Sequence, residues 1–316
     1  MEEILPRIEY GSTPKVLVLG NGINRAYGFT SWEELIESVR TKNLTGPERA
    51  SVKHVPYPLQ PVILTGNHCG EQLKKISGPL SERRADEEEE RQLRQFASLP
   101  VNAILTANYT YELEKALDPK FRCLPGRRCK ARRLVYDSGS TYANEQLHTF
   151  FAVGDYPTIW HIHGEAAKFK SMIFAHYYYG KLLAKMQQYM ASLLARCNTR
   201  YARQNGIEVR SWLDYFMLGE VHIAALGMSL SELDLWWLVN CKKRHFPEKK
   251  ITLYKFDIKP EEKLLADAYG MEVEDGGFHG NFKGYYDWLY EEINQRMQSG
   301  ESSEQYHGGS EWLKWE

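Results

Sequence analysis

Apolar residues fall in short saturated runs along the chain, and amphipathic stretches separate the runs. The first run, KVLVL at 15–19, is aliphatic on both faces, as a strand buried on two sides must be. It passes straight into Gly20-Asn21-Gly22. The stretch SWEELIESV at 31–39 then places Trp32, Leu35, Ile36 and Val39 at helical spacing. Ser31 or Thr30 can cap that helix, and Glu33 and Glu34 occupy its first turn. The same alternation recurs. VNAILT at 101–106 predicts a second buried strand ending in Ala107-Asn108-Tyr109, with a helix over 111–117. TIWHIHG at 158–164 predicts a strand that stops at Gly164. Residues 221–226 predict a strand, Gly227-Met228-Ser229 a turn, and the residues from Leu233 a helix. ITLYKFDI at 251–258 predicts another strand, followed by helices over 261–269 and 284–297. Polar residues gather just after the strand ends. This order predicts an α/β fold, a Rossmann-like parallel sheet with helices on both faces and a ligand crevice at the carboxyl ends of its strands.

The remaining segments fill in the organisation. Residues 41–80 read as loop and small helices, and 134–160 as a polar segment with short strands. Residues 82–98 read as a mostly solvated helix, and its acidic run at 86–90 as a surface face. From 176 to 204 the pattern is long and helical, with Leu182, Leu183, Met186, Met190, Leu193 and Leu194 at three- and four-residue spacing. That stripe is expected in the core or on a self-association face. With the 284–297 helix it is the candidate surface for a homo-oligomer. The expected division is a single domain over 1–298, with a helical insertion at about 165–220. The Gly/Ser/Glu-rich residues 299–316 are expected to form a flexible tail.

Composition narrows the class. The 316 residues carry 40 basic and 41 acidic side chains, a formal charge of -1, which excludes a dedicated nucleic-acid coat. The balance hides a block, KFRCLPGRRCKARR at 120–133, with seven basic residues and no acid. It leaves nucleic acid open as a partner beside a protein partner or a solvated loop. No apolar run reaches the length of a membrane span. Acids where a signal peptide carries basic residues, and five cysteines without a CxxC pair, predict a cytoplasmic protein without a disulfide framework.

Four segments carry candidate chemistry. In LGNGINRAYGF at 19–29, glycines after a buried strand let backbone N–H groups approach a pyrophosphate; a tight turn explains them equally well. In LTANYT at 105–110, the Asn108 carboxamide follows a strand and can orient water or a ribose hydroxyl, or serve as a turn residue. In WHIHGE at 160–165, the two histidines are expected on opposite faces. His163, beside the glycine, is the one expected in the crevice, His161 is expected to be packed, and no metal is expected between them. In LGMSLSELD at 226–234, Gly227 and Ser229 can hold phosphate and Asp234 a ribose, while helix capping by Ser229 or Ser231 is the alternative.

These four motifs, in this order, resemble the sirtuin-like NAD-consuming fold. The glycine turn is similar to its GAGIS segment, the Asn motif to TQNID, and the HG pair and later G-x-S follow. The resemblance runs from about residue 15 to about 280. It leans to the sirtuin-like proteins of bacterial anti-phage defence, whose first motif often reads GNG. The abortive-infection proteins with a GNGFD start share the layout, whereas this chain reads GNGIN. The resemblance implies Asn108 and His163 as the catalytic pair. It implies Gly20, Asn21, Gly22, Asn24 and Thr106 at the cofactor loop, Gly227, Ser229 and Asp234 at phosphate or ribose, and Asp257 at the adenosine ribose. Deacetylase sirtuins carry a zinc ribbon of two CxxC pairs, and this chain has only Cys123 and Cys129 with five residues between them. The expected activity is therefore an NAD+ glycohydrolase with NAD as substrate and no metal, acting in defence and gated by assembly, a protein partner or a phage trigger. An NAD or ADP-ribose sensor without turnover and a nucleic-acid-associated effector are the alternatives.

Overall fold

A computed structural model describes residues 6–66, 68–121, 131–135, 145–277 and 281–299. In chain order β1 (Arg7–Ile8) precedes β2 (Lys15–Leu19), the one-turn α1 (Gly22–Arg25), α2 (Trp32–Ser38), α3 (Gly46–Val52), α4 (Gln60–Thr65), α5 (Cys69–Glu82) and α6 (Glu87–Ala97). Next come β3 (Ala103–Thr106), α7 (Glu112–Leu117), β4 (Ala131–Val135), α8 (Glu145–His148), β5 (Thr149–Val153) and β6 (Thr158–His161). The crossover to the second half holds α9 (His176–Cys197), α10 (Arg200–Asn205), β7 (Ile207–Glu208) and α11 (Trp212–Leu218). The second half is β8 (Glu220–Ala224), α12 (Leu233–His245), β9 (Ile251–Tyr254), α13 (Pro260–Ala268), β10 (Glu272–Glu274) and α14 (Phe282–Ser299).

Eight strands form the main sheet in the order β10-β9-β8-β2-β3-β6-β5-β4. The strands from β10 to β6 are parallel, and β5 and β4 extend the β6 edge antiparallel. Taken in chain order, the parallel strands lie 3-2-1-4-5-6, the Rossmann arrangement, with its switch point between β2 and β8. β1 and β7 form a separate two-stranded pair.

Strand alternation divides the core into two layers. Val16 and Val18 of β2 face a layer shared with Leu105, Trp160, Val221 and Leu253, while Leu17 and Leu19 face one shared with Ile104, Ile159 and Tyr254. The first layer is covered by α9, α11 and α12, the second by α5, α6 and α14. The stripe on α9 lies inside the first layer, with Leu182, Met186, Met190 and Leu193 buried, and Tyr285, Leu289, Ile293 and Met297 of α14 are buried in the second. Both stripes therefore cover the chain's own sheet, which for α9 is the core alternative of its reading.

Two helices depart from expectation for local reasons. The 82–98 segment divides at 83–86: α5 ends at Glu82, and Asp86 caps α6 by accepting from the Glu89 N–H. Glu87 to Glu90 then sit at the positive end of the helix dipole. The helix is not mostly solvated, since Glu89, Gln92, Leu93, Phe96 and Ala97 are buried. The 176–204 pattern breaks after Cys197, and Thr199 caps α10 through the Ala202 N–H. Of the 120–133 block, residues 122–130 lie outside the described residues, as do Cys123, Cys129 and the tail from residue 300. Among the described residues, no helix is long and apolar enough to cross a membrane.

One buried lysine ties the crossover to the second half. Lys242 of α12 is 1% exposed, and its Nζ donates to the carbonyls of Phe216, Met217 and Gly219 at 2.7, 3.0 and 2.6 Å. These are the carbonyls that the end of α11 leaves unpaired. Lys242→Met should remove all three donors and lower stability by about 2–4 kcal/mol. In urea the unfolding midpoint should fall while the slope stays constant; an unchanged midpoint would refute the capping role.

Candidate functional site

A cleft of about 810 Å³ opens at the carboxyl ends of the parallel strands, where the winding reverses. The turn after β2 supplies Asn21, Gly22 and Arg25, and the turn after β3 supplies Ala107 and Asn108. His163 enters from the segment after β6, and Ala225 to Leu230 and Glu232 from the loop after β8. Phe256, Asp257 and Lys259 follow β9, and Phe282, Tyr285 and Tyr286 come from α14. Among the described residues, the non-glycine positions with positive φ are Ala225, Met228 and Asp257. All three line this cleft. Left-handed conformations at such residues carry strain and collect at functional sites.

The glycine turn is set by packing of loop on loop. Gly20 N–H donates to Ala224 O at 3.0 Å and Gly22 N–H to Ala225 O at 2.8 Å. A Cβ on Gly20 would lie 2.5 Å from Ala225 O, and one on Gly22 would strike the Tyr286 hydroxyl. Their expected role as N–H donors to a pyrophosphate is thereby corrected, because both N–H groups are engaged by the loop after β8. α1 is a single turn, and the helix expected over 31–39 runs from Trp32 to Ser38 with a Ser31–Glu34 capping box. Asn21 lines the cleft and donates Nδ2–H to Thr30 O at 3.0 Å. Asn24 is 1% exposed, lies outside the cleft lining, and has no partner for either amide atom.

The two histidines do diverge, for a reason other than strand alternation. Residues i and i+2 of a regular strand share a face. Here β6 ends at His161, and Ile162–His163 form a turn closed by Gly164 N–H to His161 O at 3.0 Å. Gly164 has φ +87°, and a Cβ there would strike Ser171 O, so glycine is required. His161 packs against Tyr111 and Phe151, and His163 against Tyr179.

His161 is a structural cation. Its Nδ1 lies 2.7 Å from the Asn108 carbonyl and its Nε2 2.7 Å from Glu114 Oε1. A carbonyl and a carboxylate both accept, so both ring nitrogens donate. Burial opposes the charge, but Glu114, with help from Glu165 and the Asn108 carbonyl, raises the pKa to about 9. The Asn108 turn is thus held by a buried ion pair. Its own Asn108 N–H donates to Thr106 Oγ1 at 3.1 Å. Thr106 is buried and organises this turn, rather than lining the cleft.

His163 is held differently. Its Nε2 lies 2.7 Å from Asp234 Oδ2 in a buried pair. Asp234 fixes Nε2 as the donor and leaves Nδ1 as the nitrogen able to accept a proton. Burial lowers the His163 pKa, Asp234 raises it, and the net direction is upward. Asp234 is 1% exposed and sits behind His163 rather than in the cleft lining, which corrects its reading as a ribose ligand. Glu232 stands beside the pair and lines the cleft. Donor atoms of His163, Glu232 and Asp234 lie within 4.8 Å of one another. A shared divalent metal would separate its ligand atoms by roughly 3.3 Å, from bonds of about 2.0–2.1 Å. The 2.7 Å between Nε2 and Oδ2 is instead a hydrogen-bond length.

The last segment places Gly227, Ser229 and Asp257 in the cleft as expected positions. Gly227 has nothing within 4 Å of a built Cβ, and its carbonyl accepts from Lys255 Nζ at 2.8 Å. Ser229 Oγ meets Ser231 Oγ at 2.9 Å, and neither caps α12, whose N-cap is Glu232. Arg25 and Lys259 line the cleft, and neither forms an ion pair within 4.0 Å among the described residues. Glu232, Tyr179 and Trp32 were not singled out from sequence. Glu232 had a readable signal, an acid two residues before Asp234 at a helix start. Tyr179 sits in a stripe that reads as core. No family model matches the chain, and no curated protein matches it.

The His161–Glu114 pair sets a pH dependence. The folded pKa of about 9 exceeds the ordinary unfolded value near 6.5, so the pair contributes fully below about pH 6.5. That contribution, of the order of 2–3 kcal/mol, should be lost as pH rises through about 9. Urea unfolding across pH 6–10 should show the fall in wild type and a flattened profile in Glu114→Gln. An identical slope in both would refute the assignment.

Proposed function

We propose that this protein is an NAD+ glycohydrolase that cleaves NAD+ to nicotinamide and ADP-ribose. The observation that carries the reading is that Asn108 and His163 line one cleft at the switch point of a Rossmann-ordered sheet. Such crevices receive nucleotides, and the volume suits a dinucleotide. Aromatic side chains along the wall, among them Trp32, Phe256 and Tyr285, offer stacking surfaces for flat rings. Arg25 and Lys259 on the cleft wall offer charge for phosphates.

In this mechanism the C1′–N bond breaks with its electron pair leaving on nicotinamide, which neutralises the pyridinium. Water adds to the resulting ribose cation and loses one proton. Asn108 orients the water or a ribose hydroxyl without bringing a charge of its own. His163 accepts the proton at Nδ1, and Asp234 stabilises the imidazolium that forms. Asp234 is therefore a positioning residue in place of a ribose ligand. A role in anti-phage defence, with a protein or phage trigger, extends this reading and rests on the order of the sequence motifs alone.

The test is nicotinamide release from NAD+ over a range of protein concentrations. Asn108→Ala and His163→Ala should each lower kcat at least about 100-fold. Asp234→Asn should lower kcat with little change in KM and shift the acid limb of the pH profile. Wild-type turnover retained by both Asn108→Ala and His163→Ala would remove the mechanism. Tight binding of NAD+ or ADP-ribose with no product would favour a sensor instead.

A further inference from the structure

One corner of the cleft is acidic and incompletely paired. Glu232 is the N-cap of α12, and its Oε2 is buried without a hydrogen-bond partner. Asp234 Oδ1 is buried and unpartnered beside it. The neighbours come from four directions. Tyr179 of α9 brings its hydroxyl to Glu232, and Tyr109 approaches from the turn after β3. Tyr57 approaches from the segment before α4, and His163 from the end of β6. Burial pushes all three tyrosine hydroxyls upward, so they are neutral near pH 7. His163 is the basic group beside Glu232, and Asp234 already holds it.

A carboxylate oxygen buried at the wall of a nucleotide-sized cleft, with no donor of its own, is arranged to receive a positive group. We propose that Glu232 is a specificity residue that receives the cationic pyridinium–ribose end of the nucleotide, so that the cleft selects NAD+ over NADH, whose dihydronicotinamide ring is uncharged. This inference rests on the nucleotide reading above. Burial raises the Glu232 pKa to about 7, with His163 opposing and Asp234 assisting. The carboxylate is therefore charged above about pH 7 and is neutralised as pH falls toward 6. Loss of that charge weakens the preference for a cation.

Calorimetry on the full chain tests this with a carbocyclic NAD+ analogue that is not cleaved, and with NADH. At pH 8 the analogue should bind about tenfold more tightly, an ordinary magnitude for one close charge pair near a protein surface. The gap should close to within about twofold at pH 6, and at both pH values in Glu232→Gln. No gap in wild type at pH 8, or a full gap in Glu232→Gln, would overturn the proposal while leaving the nucleotide site standing. If neither nucleotide binds, the nucleotide reading falls and the proposal falls with it. Should Glu232→Gln fail to fold, Glu232→Asp and the wild-type pH series decide: a gap that does not change between pH 8 and pH 6 would overturn it.

Discussion

The backbone contact between the turns after β2 and β8 is the constraint on which the site depends. These adjacent strands are wound in opposite directions, so their connecting chains leave to opposite sides and a crevice opens between them. The crevice stays narrow at its base because Gly20 and Gly22 donate to Ala224 and Ala225 carbonyls. No side chain fits there. The loop after β8 meets this contact with a left-handed Ala225, and Met228 repeats that conformation a few residues on. Strain of about 1–3 kcal/mol per such residue persists only where surrounding contacts fix the backbone. Lys255, by donating to Gly227 O and Glu262 Oε2, is one of those contacts.

The end of β6 solves a second problem with two similar parts. Two imidazoles, two residues apart, enter opposite layers because the strand stops between them. Each meets a buried carboxylate at 2.7 Å. The outcomes differ because the second ring nitrogens differ. His161 uses its other nitrogen on the Asn108 carbonyl and is a fixed cation. Among the described residues His163 bonds through a ring nitrogen to Asp234 alone, and it lines the cleft, so it can change protonation. The ion pair under Asn108 and the proton-accepting pair across from it thus belong to one short segment. Displacing Glu114 would act on the candidate chemistry through Asn108, without touching the cleft.

Much of the fold was legible in the sequence. Saturated apolar runs at 15–19, 101–106 and 251–258 mark strands buried on both faces, and structure places each in the parallel part of the sheet. The cap at Ser31 and the helix start at Leu233 were readable because capping and periodicity are local. What was not readable depended on tertiary contact. Periodicity gives an apolar stripe on α9 but not the sheet it covers. A run of glutamates reads as solvated until Glu89 is seen buried against Arg83. At the site, the Asn108, His163, Ser229 and Asp257 positions reach the cleft as their places after strand ends imply. The roles of the glycines and of Asp234 were misread, because a sequence shows which groups are available and not which partners already hold them.

That distinction also orders the acids of the second half. Asp234 and Glu232 are two residues apart at the start of α12, yet they carry opposite assignments. Asp234 lies inside the helix, so its side chain turns inward and finds His163. Glu232 is the N-cap, where the backbone has left helical geometry (φ -80°, ψ 65°), and its side chain remains at the wall. The helix dipole favours negative charge at both positions. Burial raises the Glu232 pKa to about 7, which outweighs that preference. A carboxylate held near the midpoint of its titration responds to any positive charge placed against it. Asp234, already committed to a hydrogen bond with His163, is free for no such role. The segment SELD therefore combines a fixed anchor for one catalytic candidate with a responsive charge facing the cleft.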